Sequence, residues 1–273
     1  MAKRQKTLDI IEAARAILAD AHPMTVRQVY YQLVSIQLIE NKRTQYQAVS
    51  DALAYARKEG IIPWGWMEDR LRRPREVPMW KDLSDFGETV IAAYRRDVWA
   101  SQQNYIECWL EKDALSGIFE DLLSNYGVTL NVGRGYDGWD SIHNAADRMS
   151  AGDSVRVLYF GDFDPSGEDM VRSLRERLGF LGCKPQIIKC ALTRDDIDRY
   201  KLPPNFTKTT DSRAAGFVAL HGDISVELDA LPAQVLRERI VTEIEKFIDL
   251  DELQQVKELE SAERERLSDA LKL

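Results

Sequence analysis

Between residues 105 and 192 the hydrophobic pattern alternates between two periods, and this alternation limits the fold more than any other feature of the chain. YIECWLE, VTLNVGR, VRVLYFGD and PQIIKCAL are short, apolar and bounded by turn residues, as buried strands are. DALSGIFEDLLSNYG, GWDSIHNAADRMSAG and GEDMVRSLRERLGF lie between them and carry apolar residues at helical spacing. Strands separated by helices of this length build a parallel sheet with helices on its faces. In such a sheet, ligands bind outside the carboxyl ends of the strands.

Those ends are acidic. Glu111 closes the first strand of the series, and Asp162 and Asp164 close the third, in VLYFGDFDPSGEDM. If the two strands are neighbours, three carboxylates meet at one edge, where their repulsion calls for a cation. A hard divalent ion such as Mg2+, with Mn2+ as an alternative, suits an all-oxygen site because it keeps several waters and needs few protein ligands. Ser166, with Asp169 three residues on, is expected to cap the following helix, and Gly167 to permit a close backbone approach. The same D-P-S-G is also ordinary turn chemistry. Glu227 and Asp229, in SVELDALP, read either as ligands to a second ion or as polar residues alternating along an edge strand.

The region before residue 105 has a different character. Ile10, Ile11, Ala14, Ile17 and Leu18 mark a helix over 8–19, Thr25 an N-cap for a helix reaching about Val34, and a third helix is expected over Thr44–Lys58 with Gly60 as its stop. A strand pattern and a basic, proline-containing flap follow in GIIPWGWMEDRLRRPREVP, giving the order of a winged helix. A connector over 81–104 holds one expected helix, near Thr89–Val98, and the tail from about Pro232 reads as helical. Beyond Asp249 its charge suggests a solvated or oligomerising helix. The domain reading is therefore 1–80, a connector 81–104, 105–250 and a helical tail 251–273.

Net charge is uneven along the chain. Residues 1–80 contain 13 Lys and Arg against 9 Asp and Glu, hence +4, so a total of −8 leaves −12 to the remainder. A basic N-terminal part can face phosphates through Arg57, Lys58, Arg70, Arg72 and Arg73, although such residues are also common as solvated surface. The three cysteines have no zinc or redox spacing and read as reduced packing residues, which points to the cytoplasm, with nucleoid association if DNA is the partner. The first twenty residues are interrupted by charge too often for a signal peptide or membrane span.

Taken together, LEKDALSGIF, VGRGYDGWDS and VLYFGDFDPSGEDM resemble a Toprim domain, whose pattern is a Glu at the end of one strand and D-x-D at the end of a later one. TVRQVYYQLV resembles the tyrosine-bearing winged-helix segment of the topoisomerase VI A-subunit family, which includes the related meiotic double-strand-break protein. The order winged helix then Toprim is also that family's, and the resemblance spans roughly residues 8 to 250, in a compact form similar to the Mini-A proteins. It implies that Glu111, Asp162 and Asp164 hold Mg2+. It also implies that a tyrosine of VYY attacks double-stranded DNA to leave a 5'-phosphotyrosyl link. Tyrosine and acids come from different protomers in the family, which implies a homodimer, and topoisomerase VI works with a separate ATPase subunit. This chain has no P-loop or other recognisable nucleotide-binding motif of its own.

Helical spacing distinguishes the two tyrosines. Val26, Val29, Tyr30 and Leu33 form one stripe, which places Tyr30 in the core; Tyr31 falls beside Arg27 on another face, where its hydroxyl would be presentable and a guanidinium could hold a phosphate. Both tyrosines also read as plain packing residues. Two other functions fit parts of the sequence. DFDPS matches the D-x-D-x-[ST] pattern of haloacid-dehalogenase-type phosphatases, with Asp162 as nucleophile, and a non-catalytic DNA-binding protein would need only the basic N-terminal part.

Overall fold

A computed structural model describes residues 2–68, 77–133, 138–150, 152, 154–204 and 213–271. Three helices come first: α1 (Ala2–Asp20), α2 (Val26–Ser35) and α3 (Arg43–Lys58). Thr25 caps α2 as its sequence suggests: its hydroxyl accepts from the Gln28 amide, and the Gln28 side chain accepts from the Thr25 amide. Gly60, at φ +71°, ends the turn after α3 in the left-handed region. The strand expected next does not form. Trp64–Trp66 make a 3-10 turn, and among the described residues one parallel bridge, Met24 to Met67, is all the pairing there. Pro63 ahead of the turn has no amide to give a ladder, which favours the turn.

The connector helix α4 spans Leu83–Ala93, not Thr89–Val98. Asp82 starts it early by accepting from the Asp85 amide, a cap signal that apolar spacing alone does not reveal. The sheet region follows in chain order: β1 (Tyr105–Leu110), α5 (Ser116–Leu123), β2 (Thr129–Val132), α6 (Trp139–Met149), β3 (Val155–Phe160), α7 (Pro165–Phe180) and β4 (Gln186–Ala191). α8 (Arg194–Tyr200), α9 (Ala214–His221), α10 (Ala233–Glu245) and α11 (Leu250–Ala270) complete the described chain.

The four strands are parallel, in the order β2-β1-β3-β4. Their alternation sorts side chains to two faces. Ile106, Cys108, Leu110, Leu158 and Phe160 join one apolar cluster, and Trp109, Val157 and Tyr159 join another with Ile142, Met149, Leu174 and Leu178 of α6 and α7. The first cluster continues without a break into Leu18, Leu33 and Leu53 of the N-terminal helices and Leu236 and Ile240 of α10. The chain leaves β1 toward β2 on one side and returns as β3 on the other, so the strand order reverses between β1 and β3. The carboxyl edge at such a reversal is open for ligands.

α11 is less independent than its charge suggests. Arg264 donates to the Tyr94 carbonyl at 2.6 Å, the Tyr94 hydroxyl donates to Glu263 at 2.6 Å, and the Arg96 amide donates to Glu260 at 2.8 Å. Among the described residues no helix is long and apolar enough to cross a membrane. Cys108 and Cys190 are buried and all three cysteines are free thiols, in keeping with a packing role.

The turn after β3 is held by close approach. A Cβ on Gly167 would lie 2.4 Å from the Asp162 carbonyl oxygen, a backbone atom that cannot move aside. Gly167→Ala is therefore expected to destabilise the protein by roughly 2–4 kcal/mol, read as a lowered denaturant midpoint with an unchanged slope.

Candidate functional site

The strand order brings Glu111 and Asp162 together. The Asp162 amide donates to Glu111 Oε2 at 2.8 Å, directly across from where β1 and β3 end. Gly161 makes this possible, since a Cβ there would sit 2.6 Å from that same Glu111 oxygen. Asp164 turns to a different task. It is the N-cap of α7, its Oδ1 accepting from the Gly167 amide at 2.7 Å and from the Ser166 hydroxyl at 2.9 Å, with Pro165 at the first helical position. Ser166 is thus a donor to the cap and not the cap itself, because Pro165 already has helical φ and moves the start of the helix two residues earlier.

Asp162 is buried, and each of its oxygens has a partner. Oδ1 accepts from the Leu228 amide at 2.8 Å, and Oδ2 pairs with Lys112 Nζ at 2.9 Å. Lys112 also reaches Glu227 Oε2 at 2.8 Å and Asp229 Oδ2 at 3.2 Å. Arg27 of α2 closes the cluster, its Nε donating to Asp229 Oδ2 at 3.0 Å and its Nη2 to Glu227 Oε2. Glu227 and Asp229 do not alternate along a strand: Leu228–Ala230 form a 3-10 turn, preceded by one antiparallel bridge between Phe163 and Val226. That turn is what packs on α2, with Gln32 and Ser35 donating to the carbonyls of Leu231 and Ala230.

The turn also changes the environment of the tyrosines. Arg27 does lie over the Tyr31 ring, 5.3 Å from its centroid, as their spacing on one helix requires. Tyr31 is nevertheless only 6% exposed, so the presentable face read from helical spacing is covered. The helix carrying Tyr31 is packed against a turn about 200 positions away, which the periodicity of one helix cannot register. Tyr30 is buried as expected, edge-on to Tyr31 and Tyr46, and its hydroxyl donates to Asn41 Oδ1 at 3.0 Å. Burial pushes the Tyr31 phenol well above its ordinary value, with Arg27 pulling against it.

Of the basic residues assigned to DNA, Arg57 and Lys58 form the last turn of α3, where the Arg57 guanidinium stacks on Trp64 at 4.3 Å. Arg70, Arg72 and Arg73 lie outside the described residues. Sequence reading singles out neither Lys112 nor Lys189. Lys112 follows Glu111 at the strand end, and that position is its one available signal; Lys189 Nζ donates to the Asp162 carbonyl at 3.0 Å and to Glu168 at 2.6 Å.

Glu111, Asp162 and Asp164 offer only hard oxygen donors, the kind Mg2+ takes. Burial first, and then the nearby Asp162 charge, raise the Glu111 carboxyl to about 7, with the Asp162 amide and Lys112 pulling against them. In donor type and in charge the set suits a divalent ion. As placed, one oxygen of Glu111, one of Asp164 and both of Asp162 are engaged within the protein, and among the described residues no group of three or more His, Cys, Asp or Glu side chains is arranged to hold a metal.

A carboxyl raised in the folded state makes the native protein bind more protons than the unfolded chain between pH 4.5 and about 7, so stability falls as pH rises through that window. Above it the full cost is present. Glu111→Gln keeps an acceptor for the Asp162 amide and removes the charge, so it should stabilise the protein by roughly 2–3 kcal/mol at pH 8 and by almost nothing at pH 4. Thermal melts of both proteins at the two pH values check this, and equal gains at both would show that charge is not the cause.

No protein-family model and no curated protein matches this sequence.

Proposed function

We propose that the chain is a DNA-cleaving protein of the topoisomerase VI A-subunit type, a winged helix joined to a Toprim domain, acting by Mg2+-dependent tyrosine transesterification on double-stranded DNA. The observation that carries this reading is the seating of α2: Arg27 and Tyr31 lie against the same carboxyl edge that holds Glu111, Asp162 and Asp164. In the reaction the Tyr31 oxygen bonds to phosphorus as the bond from phosphorus to the 3' oxygen breaks. The phenolic proton leaves Tyr31, and the departing sugar oxygen gains one to become a free 3'-hydroxyl. Tyr31 is left as a 5'-phosphotyrosyl ester.

Each residue has a part in that exchange. Arg27 over the ring favours the phenolate, working against burial, and its guanidinium is placed to hold a phosphate oxygen. When bound by the oxygens of Glu111, Asp162 and Asp164, Mg2+ would add Lewis-acid charge on the phosphate. Lys112, its ammonium 2.9 Å away, favours the ionised form of Asp162 against the burial that raises its carboxyl. Arg57 and Lys58 would meet the DNA backbone, a contact that weakens as salt rises.

The family resemblance implies that tyrosine and acids come from two protomers. Here Arg27, which lies over Tyr31, pairs with Glu227 and Asp229 of its own chain, beside the edge that holds Asp162. A homodimer would supply two such sites and cut both strands.

Incubation with Mg2+ and labelled duplex, quenched with detergent, should leave label migrating with the wild-type protein. Tyr31→Phe should abolish that adduct with little change in melting temperature, since the phenol makes no hydrogen bond among the described residues. Tyr30→Phe loses the bond to Asn41, costing about 1 kcal/mol, and should still form the adduct. An adduct that survives in Tyr31→Phe, or wild type that binds duplex and never becomes attached to it, would overturn the proposal.

A further inference from the structure

A single oxygen of Glu227 joins the two cations of the site. Glu227 Oε2 accepts from Arg27 Nη2 and from Lys112 Nζ, the latter at 2.8 Å. An oxygen shared between a guanidinium and an ammonium is the bonding that a phosphoryl oxygen makes with the same groups. We infer that Arg27 and Lys112 form a phosphate-binding pair whose oxyanion position is filled, in the resting protein, by the chain's own Glu227. The identity of the ligand as a DNA phosphodiester rests on the function proposed above; the oxyanion chemistry does not.

Glu227 and Asp229 differ in a way that assigns them separate jobs. The Asp229 side chain is wholly buried and holds both cations, Arg27 Nε at 3.0 Å and Lys112 Nζ at 3.2 Å. Glu227 is 30% exposed at its side chain and stands in extended backbone just before the 3-10 turn. It can rotate into water without disturbing the turn, while Asp229 and Asp162 keep the two cations in place.

The charges also balance. Arg27 and Lys112 against Asp162, Asp229 and Glu227 leave one net negative charge. Exchanging the Glu227 carboxylate for a phosphodiester replaces one monoanion with another, so the electrostatics of the buried pairs are conserved. The same exchange sets the phosphate beside Arg27, which lies over Tyr31. Glu227 is thereby a competitor for the substrate position and not a metal ligand.

The test uses the full chain in EDTA, so that binding is read without cleavage. Glu227→Gln keeps the shape and removes the competing charge; Glu238→Gln, an exposed carboxylate on α10, removes the same charge elsewhere. By anisotropy with a short labelled duplex, Glu227→Gln should bind about tenfold tighter than wild type and Glu238→Gln within about twofold of it. In a second arm, inorganic pyrophosphate should raise the melting temperature of Glu227→Gln more than that of wild type. Adding Arg27→Gln to Glu227→Gln should abolish the excess. If Glu227→Gln behaves like Glu238→Gln in both arms, the oxyanion pair is wrong. A gain for pyrophosphate with no duplex binding by any variant would uphold the pair and remove DNA as its ligand.

Discussion

A carboxylate at the end of a parallel strand, shut away from water, is costly unless positive charge is returned to it. At this edge the charge comes from Lys112, whose ammonium lies within 3.2 Å of Asp162, Glu227 and Asp229 together. Much of the architecture follows from that one group. Asp162, held in place beside Lys112, accepts from the Leu228 amide; that bond fixes the turn carrying Asp229; Asp229 then takes Arg27 and with it the orientation of α2. Removing Lys112 would leave buried anions facing one another, so its loss would be felt on α2 as much as on the sheet.

The sheet was legible because its signal is local. Each strand of the 105–192 region is apolar over a few residues and each helix shows its own period, so order and type follow from short windows. Thr25, Gly60 and Gly167 were legible for the same reason, being residues whose conformational role is set by their immediate neighbours. Two of the helix starts that differ from expectation, at Asp82 and Asp164, show the limit of local signals. An aspartate is equally good as a cap, a turn residue or a ligand, and only the position of the amide two or three residues on decides which.

The site was legible in part. Glu111 and Asp162 could both be placed at the carboxyl edge because a parallel sheet follows from the alternating pattern; that their strands are neighbours was a condition of the reading, and the strand order meets it. Arg27 and Tyr31 could be paired because four residues make one helical turn. The burial of Tyr31 and the hub at Lys112 could not be read in this way. Both depend on the 226–231 segment folding back across the sheet edge onto α2, and nothing within that segment names its destination. Its alternating acids look like a strand edge until the Phe163 to Val226 bridge and the turn after it are seen.

The contact between Arg27 and Asp229 closes a loop of about 200 residues, and this gives the cluster a place in time as well as in space. Contacts so far apart in sequence form late, after the chain entropy between them has been spent on local structure. During synthesis from the N-terminus, α2 emerges first and waits, its tyrosine pair built but without the carboxylates that complete its charge. The cluster can assemble only once residues beyond 226 have left the ribosome. An unfinished chain therefore carries the arginine and the phenol without the acids that pair with them.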